Sequence, residues 1–555
     1  MKWNATTGQW ECAVDAGGSS YSAGTGLQLV DSAFSISSIY RLPQACTNLQ
    51  VPKWSGGAWI CANDANSDTT YSAGTGLNLT GTQFSIPDTY RLPQSCAANE
   101  LPKWNGSAWA CAADANTGTT YIAGVGIEIA GNTISSTVTV SKPQNIIWVA
   151  KSGGDFTSIQ SALNSISDAS ASNPYLIMVA PGEYTGQVNM KSYVDIQGAG
   201  EAATIINYTG SNSGYWSNGS SATVNGAGSA ELRFVTVKST ATGNSNAVGI
   251  RNSGAGVNPS LLHVTVIVSG GSARNIGIVN YDAASPSIKN VTALASGGTS
   301  ETYGVYNNGA PATLTNVTAT AQNGGGNCYG IGNDSASAIL NNVTATASNC
   351  TNNNFGVDNY GPATLTHVTA TASGGSYSTG IRSDAPDAAA SSAAVLKDVT
   401  ATASGSSSGN YAIQNNASTT LFNVTATASG SAESYGVFNN GSSAVPTLTN
   451  VVVSASGSTS NYGLYVINGS SSTLDNVTVT TSGGTFNFGV YIDTGSTAII
   501  RDSAFTGSTN SLVNSASTTR LATSMLSGSV VNSGGTLTCV GAYSGSFVAL
   551  NTTCQ

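Results

Sequence analysis

The sequence predicts an all-β protein: a solenoid of short parallel strands wound as a β-helix, with coils of about 26 residues, behind a small-repeat, disulfide-stapled β stalk. Three observations predict it. A phrase, Leu-x-Asn-Val-Thr-Ala-Thr-Ala-Ser, then a Ser/Gly-rich stretch and aromatic-Gly-Val-x-Asn, recurs down the chain. Asn290, Asn316, Asn342, Asn423, Asn450 and Asn476 hold its Asn slot, with His263, His367 and Asp398 in the same register. Successive slots lie 25 to 27 residues apart, with one step of 31. A fixed period of this length marks units that bury their apolar faces only against neighbouring units. A second, different repeat, about 50 residues long, fills residues 1–135.

Composition narrows the class. The chain has 555 residues, of which 8% are charged and 65 are Gly. The periodic apolar positions distinguish it from a disordered chain of similar polarity. Net charge is −9, with 17 Lys and Arg and no basic run, which argues against a nucleic-acid partner. No run of apolar residues is long enough for a membrane span. The first residues do not read as a signal peptide.

In the stalk, 1–135, Pro52-Lys53-Trp54 through Trp59-Ile60-Cys61 repeats as Pro102-Lys103-Trp104 through Trp109-Ala110-Cys111. Arg41-Leu42-Pro43-Gln44-x-Cys46 repeats as Arg91-Leu92-Pro93-Gln94-x-Cys96. The spacing pairs Cys46 with Cys61 and Cys96 with Cys111, closing small loops in units too small for a core. Cys12 aligns with Cys61 and Cys111 without an upstream partner, so the chain is expected to begin inside a repeat and Cys12 to be unpaired within it. These phrases, with Tyr71-Ser72-Ala73-Gly74-Thr75-Gly76-Leu77 and Phe84-Ser85-Ile86, resemble the stalks of bacterial and phage-type tail-fibre and surface-fibre proteins. The resemblance covers about a quarter of the chain and implies a homo-oligomer, a trimer or fibre, placed extracellularly, on a cell surface or on a virion.

Residues 136–230 read as a cap with the first coils. Ile146–Ala150 is a strand. Phe156, Ile159, Leu163 and Ile166 recur at helical spacing with Asp155 as N-cap, and Tyr175–Ala180 is a buried strand. The order Gly154-Asp155-Phe156-Thr157-x-Ile159-Gln160, then Val179-x-Pro181-Gly182-x-Tyr184, is similar to the opening of pectin methylesterases and other pectin-lyase-like proteins. It implies a right-handed β-helix and carries no catalytic group itself.

The repeated coils run over 231–510, with terminal coils and a cap closed by Cys539 and Cys554 over 511–555. In the coil from Thr313 to Ala338, Leu314 and Val317 are both apolar but three apart, so the chain must bend at Asn316, a residue that tolerates left-handed backbone. Val317, Ala319 and Ala321 then point in while Thr318 and Thr320 point out. Tyr329, Ile331 and Asn333 are expected to share the inward face, with small Ala residues making room for the aromatic ring. Asn252, Asn280, Asn307, Asn333, Asn359, Asn415 and Asn439 would stack as an amide ladder. Cys328 and Cys350 fall in the same turn of adjacent coils. Asn-Val-Thr serves the bend and is not read as a glycan acceptor.

Catalytic groups are sparse. His263 and His367 are the two histidines, both in the bend slot, and no metal-spaced cluster or cofactor motif appears. Asp358 and Arg382 fall at equivalent outward positions and read as a surface ion pair of small worth. Asp384 and Asp387 lie in the longest insertion. Two outward stripes offer a ligand or assembly face. One is Thr318/Thr320, Thr344/Thr346, Thr369/Thr371, Thr400/Thr402 and Thr425/Thr427. The other is Tyr306, Phe438, Tyr465 and Tyr491. The expectation is therefore a non-enzymatic fibre or adhesin that self-assembles and attaches to surface glycans. Two alternatives stand beside it. A tailspike-like polysaccharide depolymerase is favoured if paired carboxylates line a groove. An ice-binding protein is favoured if the Thr face is flat and free.

Overall fold

A left-handed residue at every bend slot shapes the coils. His263, Asn290, Asn316, Asn342, His367, Asp398, Asn423, Asn450 and Asn476 all take φ between 52° and 55°. At each of them a strand, of ten residues in coils such as Thr313–Gln322 and of twelve at Asn476, turns a corner without breaking. The two strands expected on either side of the slot are thus one kinked strand, and an eight-residue strand such as Asn327–Asp334 completes the coil.

The computed structural model describes residues 145–210, 222–241, 246–384 and 394–555, the segments 22–31, 33–63, 72–93, 95–98 and 100–113, Thr6, and the short strands within 2–11 and 127–136. The chain divides into two compact units, Met1–Val138 and Thr139–Gln555. In the second unit, strands stack in parallel into a 21-stranded and a 14-stranded sheet, a parallel β-helix. Equivalent residues pair between coils: Val317 with Val343, Ala319 with Ala345, Thr318 with Thr344. Ala319 is buried and Thr318 exposed, as the alternation requires.

The inner amides form the expected ladder. Asn252 donates to Asn280, Asn280 to Asn307 and Asn307 to Asn333, each at 2.7 Å, and Asn333 donates to Asn359 at 3.3 Å. After Asn359 the row is broken by Ser383 and resumes with Asn415 donating to Asn439 at 2.8 Å. A second ladder, outside, joins the bend slots: Asn316 donates to Asn290 at 2.9 Å and Asn342 to Asn316 at 2.8 Å. Disulfides join Cys328 to Cys350 across adjacent coils and Cys539 to Cys554 at the C-terminus.

The aromatic residue before each glycine is not where the alternation placed it. Tyr329 does not share the inward face with Ile331; it belongs to a separate cluster with Tyr303, Tyr306 and Phe355, while Ile331 and Val357 join the core. The cause is the glycine after each ring. A Cβ on Gly330 would lie 2.6 Å from the carbonyl oxygen of Gly356 in the next coil and, across the helix interior, 2.6 Å from the Thr346 nitrogen. The two sheets meet there backbone to backbone, so Ala faces Gly and leaves no room for a ring. The chain skips a residue of pairing at each such glycine, which turns the aromatic outward.

A helix, Ile159–Ser165, caps the N-terminal end of the solenoid, burying Ile159, Ala162 and Leu163. Its N-cap is Ser158, whose hydroxyl accepts from the Ser161 N–H, and not Asp155. Asp155 instead accepts from the Trp148 N–H at 2.8 Å, tying the preceding loop to the first strand.

The first unit is a series of two-stranded hairpins, among them Gln50–Ser55 with Ala58–Asn63 and Glu100–Trp104 with Trp109–Ala113. Cys46–Cys61 and Cys96–Cys111 are bonded. Tyr40 stacks on Trp54 and Tyr90 on Trp104, the same arrangement in both repeats. Among the described residues of this unit none is buried, and Leu49 is 81% exposed. Cys12 lies outside the described residues.

The Gly contact yields a prediction. Replacing Gly356 by Ala puts a Cβ 2.6 Å from the Gly380 carbonyl oxygen and 2.8 Å from the Thr371 nitrogen. Chemical denaturation should show a loss of about 1–3 kcal/mol. Thr344→Ala on the exposed face should stay within about 0.5 kcal/mol. Equal stability of the two variants would remove the backbone contact as the reason for the glycines.

Candidate active-site cleft

Because the rings turn outward, the 14-stranded sheet carries two side-chain columns on its outer face. One holds Tyr303, Tyr329, Phe355, Thr379, Tyr411, Tyr435, Tyr462 and Phe488 in register. The other holds Tyr306, Gly332, Asp358, Arg382, Gln414, Phe438, Tyr465 and Tyr491. Tyr303 stacks on Tyr329 with centroids 4.5 Å apart, and Tyr329 on Phe355 at 5.2 Å.

At Gly332 the second column has no side chain. A Cβ there would sit 3.0 Å from the Tyr306 ring and 3.1 Å from the Tyr303 ring, so a larger residue would fill the gap. The gap is a pocket of about 170 Å³ lined by Tyr303, Tyr306, Tyr329, Asp334, Asp358 and Tyr360 with the Gly332–Asn333 backbone. Two carboxylates, Asp334 and Asp358, thus face one slot between adjacent coils.

Their surroundings differ. Arg382 forks onto Asp358, Nε to Oδ1 at 2.6 Å and Nη2 to Oδ2 at 2.7 Å, and its Nε also lies 3.3 Å from Asp384. The guanidinium sits over the Phe355 ring at 4.4 Å and the Tyr360 ring at 5.1 Å. Burial pushes the Asp358 carboxyl up, and the forked cation works against that shift. Burial also opposes the Arg382 charge, but Asp358 and Asp384 outweigh it, so the guanidinium holds its proton more firmly than usual. Asp334 accepts from the Tyr306 hydroxyl at 3.2 Å, and that hydroxyl accepts from Asn308 at 3.0 Å. Burial holds the Tyr303 and Tyr329 phenols neutral. Among the described residues no group of three His, Cys, Asp or Glu could hold a metal ion.

The sequence places Tyr306, Asp358 and Arg382 outward, and the structure brings them to one cleft. The expected surface ion pair is instead enclosed: Asp358 is 8% exposed, walled by Tyr360 of its own coil, by the rings of the preceding coils and by Arg382 of the next. Asp384 joins this pair, whereas Asp387 lies outside the described residues. Phe438, Tyr465 and Tyr491 stand on the same sheet, farther along. The Thr stripe is elsewhere, on the 21-stranded sheet, with Thr318, Thr344, Thr369, Thr400 and Thr425 exposed in register and Thr320, Thr346, Thr371, Thr402 and Thr427 half-buried beside them. His263 and His367 sit in bends, away from the cleft's sheet. The cleft itself escaped the sequence reading. Its one legible sign is Gly332, standing where the coils on either side carry Tyr306 and Asp358.

No family model matches the chain, and no curated protein matches it. Solved structures do. The pectin methylesterase of Yersinia enterocolitica is similar at 13% identity, over 41% of this chain and 81% of its own, with a TM-score of 0.30. The A-module of an Azotobacter vinelandii mannuronan C-5 epimerase is similar at 12% identity, over 70% and 94%, with a TM-score of 0.31. Carrot pectin methylesterase is similar at 16% identity, over 63% and 85%, with a TM-score of 0.27. Each likeness is one of fold. The non-enzymatic expectation is corrected here: the three proteins named are enzymes, and paired carboxylates line a groove, the arrangement that favours the depolymerase alternative.

The stacked phenols give a pH prediction. Burial, with the charges of Glu433 and Tyr377 behind it, pushes Tyr411 from its ordinary 10.0 up to about 12. A phenol that the fold keeps neutral adds stability that is complete below pH 10 and is lost as pH rises through 12. Ultraviolet titration should show a late-ionising tyrosine class, and stability should fall over that window. Uniform titration near 10 would contradict the packing of the rings.

Proposed function

We propose that this chain is a polysaccharide-modifying enzyme, a depolymerase that works at the slot between Asp334 and Asp358. The observation that carries the reading is the pair of carboxylates, unlike in their surroundings, on either side of a gap kept open by Gly332. Glycoside cleavage needs one carboxyl group to protonate the leaving oxygen and another to attack or to activate water. Arg382 orients both oxygens of Asp358 and opposes part of the shift that burial causes. Asp334 accepts from the Tyr306 hydroxyl, which fixes its carboxylate in the slot opposite Asp358. Aromatic walls exclude water and give a sugar ring an apolar surface.

Asp334→Asn should lower the release of reducing ends by about a hundredfold or more while leaving the thermal melt unchanged. Asp358→Asn should lose activity as well, with a cost in stability of about 3–5 kcal/mol because Arg382 is left without its partner. Arg382→Lys cannot reproduce the fork and should fall between them. Wild-type turnover that is indifferent to both Asp variants, or its absence on every polysaccharide tried, would sink the reading.

We also propose that copies of the chain associate, as a trimer in the reading the stalk resemblance suggests, and that the protein works outside the cell. Support for association comes from the exposed apolar residues of the first unit and from the uncharged Thr columns. The disulfides support an oxidising compartment. Light scattering should report an oligomer that Thr344→Lys, Thr369→Lys and Thr400→Lys together weaken. A monomeric wild type would end this proposal.

A further inference from the structure

Past the cleft, the outer face of the 14-stranded sheet becomes an aromatic strip. Tyr411, Tyr435, Tyr462 and Phe488 stack in one column with centroids 4.8, 5.0 and 5.1 Å apart. Phe438, Tyr465 and Tyr491 fill the next column. Phe438 and Tyr491 turn across the stack, at 69° to Tyr435 and 76° to Tyr462, so their faces are not used up by stacking within it. The rings are half-exposed apart from Tyr435, and the strip continues from Arg382 over four coil steps, about 19 Å at the spacing of paired strands.

The charged groups bonded to its rings are acidic. Tyr435 donates to Glu433 at 2.8 Å and Tyr465 to Asp493 at 3.0 Å. From Asp398 to Ile500 the chain contains no Lys or Arg. Between Asn290 and Ile500 the only Lys or Arg are Arg382 and Lys397, against nine acidic residues; Arg382 is already forked onto Asp358, and His367 sits on the other sheet. A carboxylate- or sulfate-bearing sugar chain on this face would meet no cation to neutralise it and several carboxylates to repel it. An uncharged pyranose chain meets apolar ring surface and acceptor oxygens instead.

We propose that the strip from Tyr411 to Tyr491 binds an uncharged glycan lying along the solenoid axis, continuous with the cleft, and that it rejects polyuronates. The proposal rests on the cleft being the reactive site and adds the chemical class of its substrate. The one arginine available in the cleft positions a carboxylate and is not a receptor for an anionic sugar.

Calorimetric titration of the full-length chain tests it. The probes are neutral hexaoses of the β-glucan, xylan, mannan and galactan types, with hexagalacturonate as the acidic probe. At least one neutral hexaose should bind, and hexagalacturonate should bind at least about tenfold more weakly, the gap widening at low salt. Tyr465→Ala and Tyr491→Ala should each weaken the neutral probe by about tenfold. Phe438→Lys should weaken it too and should strengthen hexagalacturonate, a gain that misfolding would not produce. Hexagalacturonate binding as tightly as the best neutral probe would overturn the proposal, as would the absence of neutral binding or its indifference to the aromatic variants. Asp334→Asn separates the two readings, because it should lower turnover by about a hundredfold or more while leaving in place the aromatic strip that holds the hexaose. Neutral binding without turnover would sink the enzyme reading alone, and Asp334-dependent turnover of polygalacturonate would sink this one alone.

Discussion

The two sheets of the solenoid approach so closely at Gly304, Gly330, Gly356 and Gly380 that no Cβ fits between them. Much of the molecule depends on that approach. It forces Ala onto the facing strands, where Ala319, Ala345 and Ala370 are fully buried. It interrupts strand pairing at one residue per coil, so the ring before the glycine leaves the interior. From Val305 to Val490 the core is consequently built from Val, Leu, Ile and Ala, and the rings lie on the outer surface, where they stack. An aromatic face follows from glycines buried between the sheets.

The cleft places charge in an enclosed position. A carboxylate walled by rings is costly unless it is paired and hydrogen-bonded. Asp358 receives two hydrogen bonds from one guanidinium, which is itself covered by Phe355 and Tyr360. The arrangement holds the side chains in place before any ligand arrives, and such fixed geometry is what positions reacting groups at small cost during a reaction.

The period of the coils, the bend at the Asn slot, the Ala-in, Thr-out alternation and the inner Asn row could all be read from the chain, because each repeats and each follows from local backbone chemistry. The cap strand and helix were legible too, apart from Ser158 taking the capping role that Asp155 offered by position. The aromatic face was not. Strict alternation sends Tyr329 to the same side as Ile331, and only the distance between two sheets, a tertiary quantity, reverses it. The cleft was hidden for a related reason. Asp334, Asp358 and Arg382 are each single departures from the repeat on different coils, so no local motif contains them. They meet only when the register is known, and the depth of the ion pair depends on rings whose direction was misjudged.

A chain of near-identical coils faces an ambiguity that ordinary folds do not. If Val317 aligned with Val368 in place of Val343, almost every core contact and ladder hydrogen bond would be reproduced, with one coil left out as a loop. Repetition therefore stabilises the correct stack and its shifted copies nearly equally. What distinguishes them are the residues that do not repeat: Arg274 with Glu301, Cys328 with Cys350, and Asp358 with Arg382. Each joins adjacent coils and has no equivalent one coil away. The same pair that equips the cleft thus acts as an index mark, telling each coil which neighbour is its own.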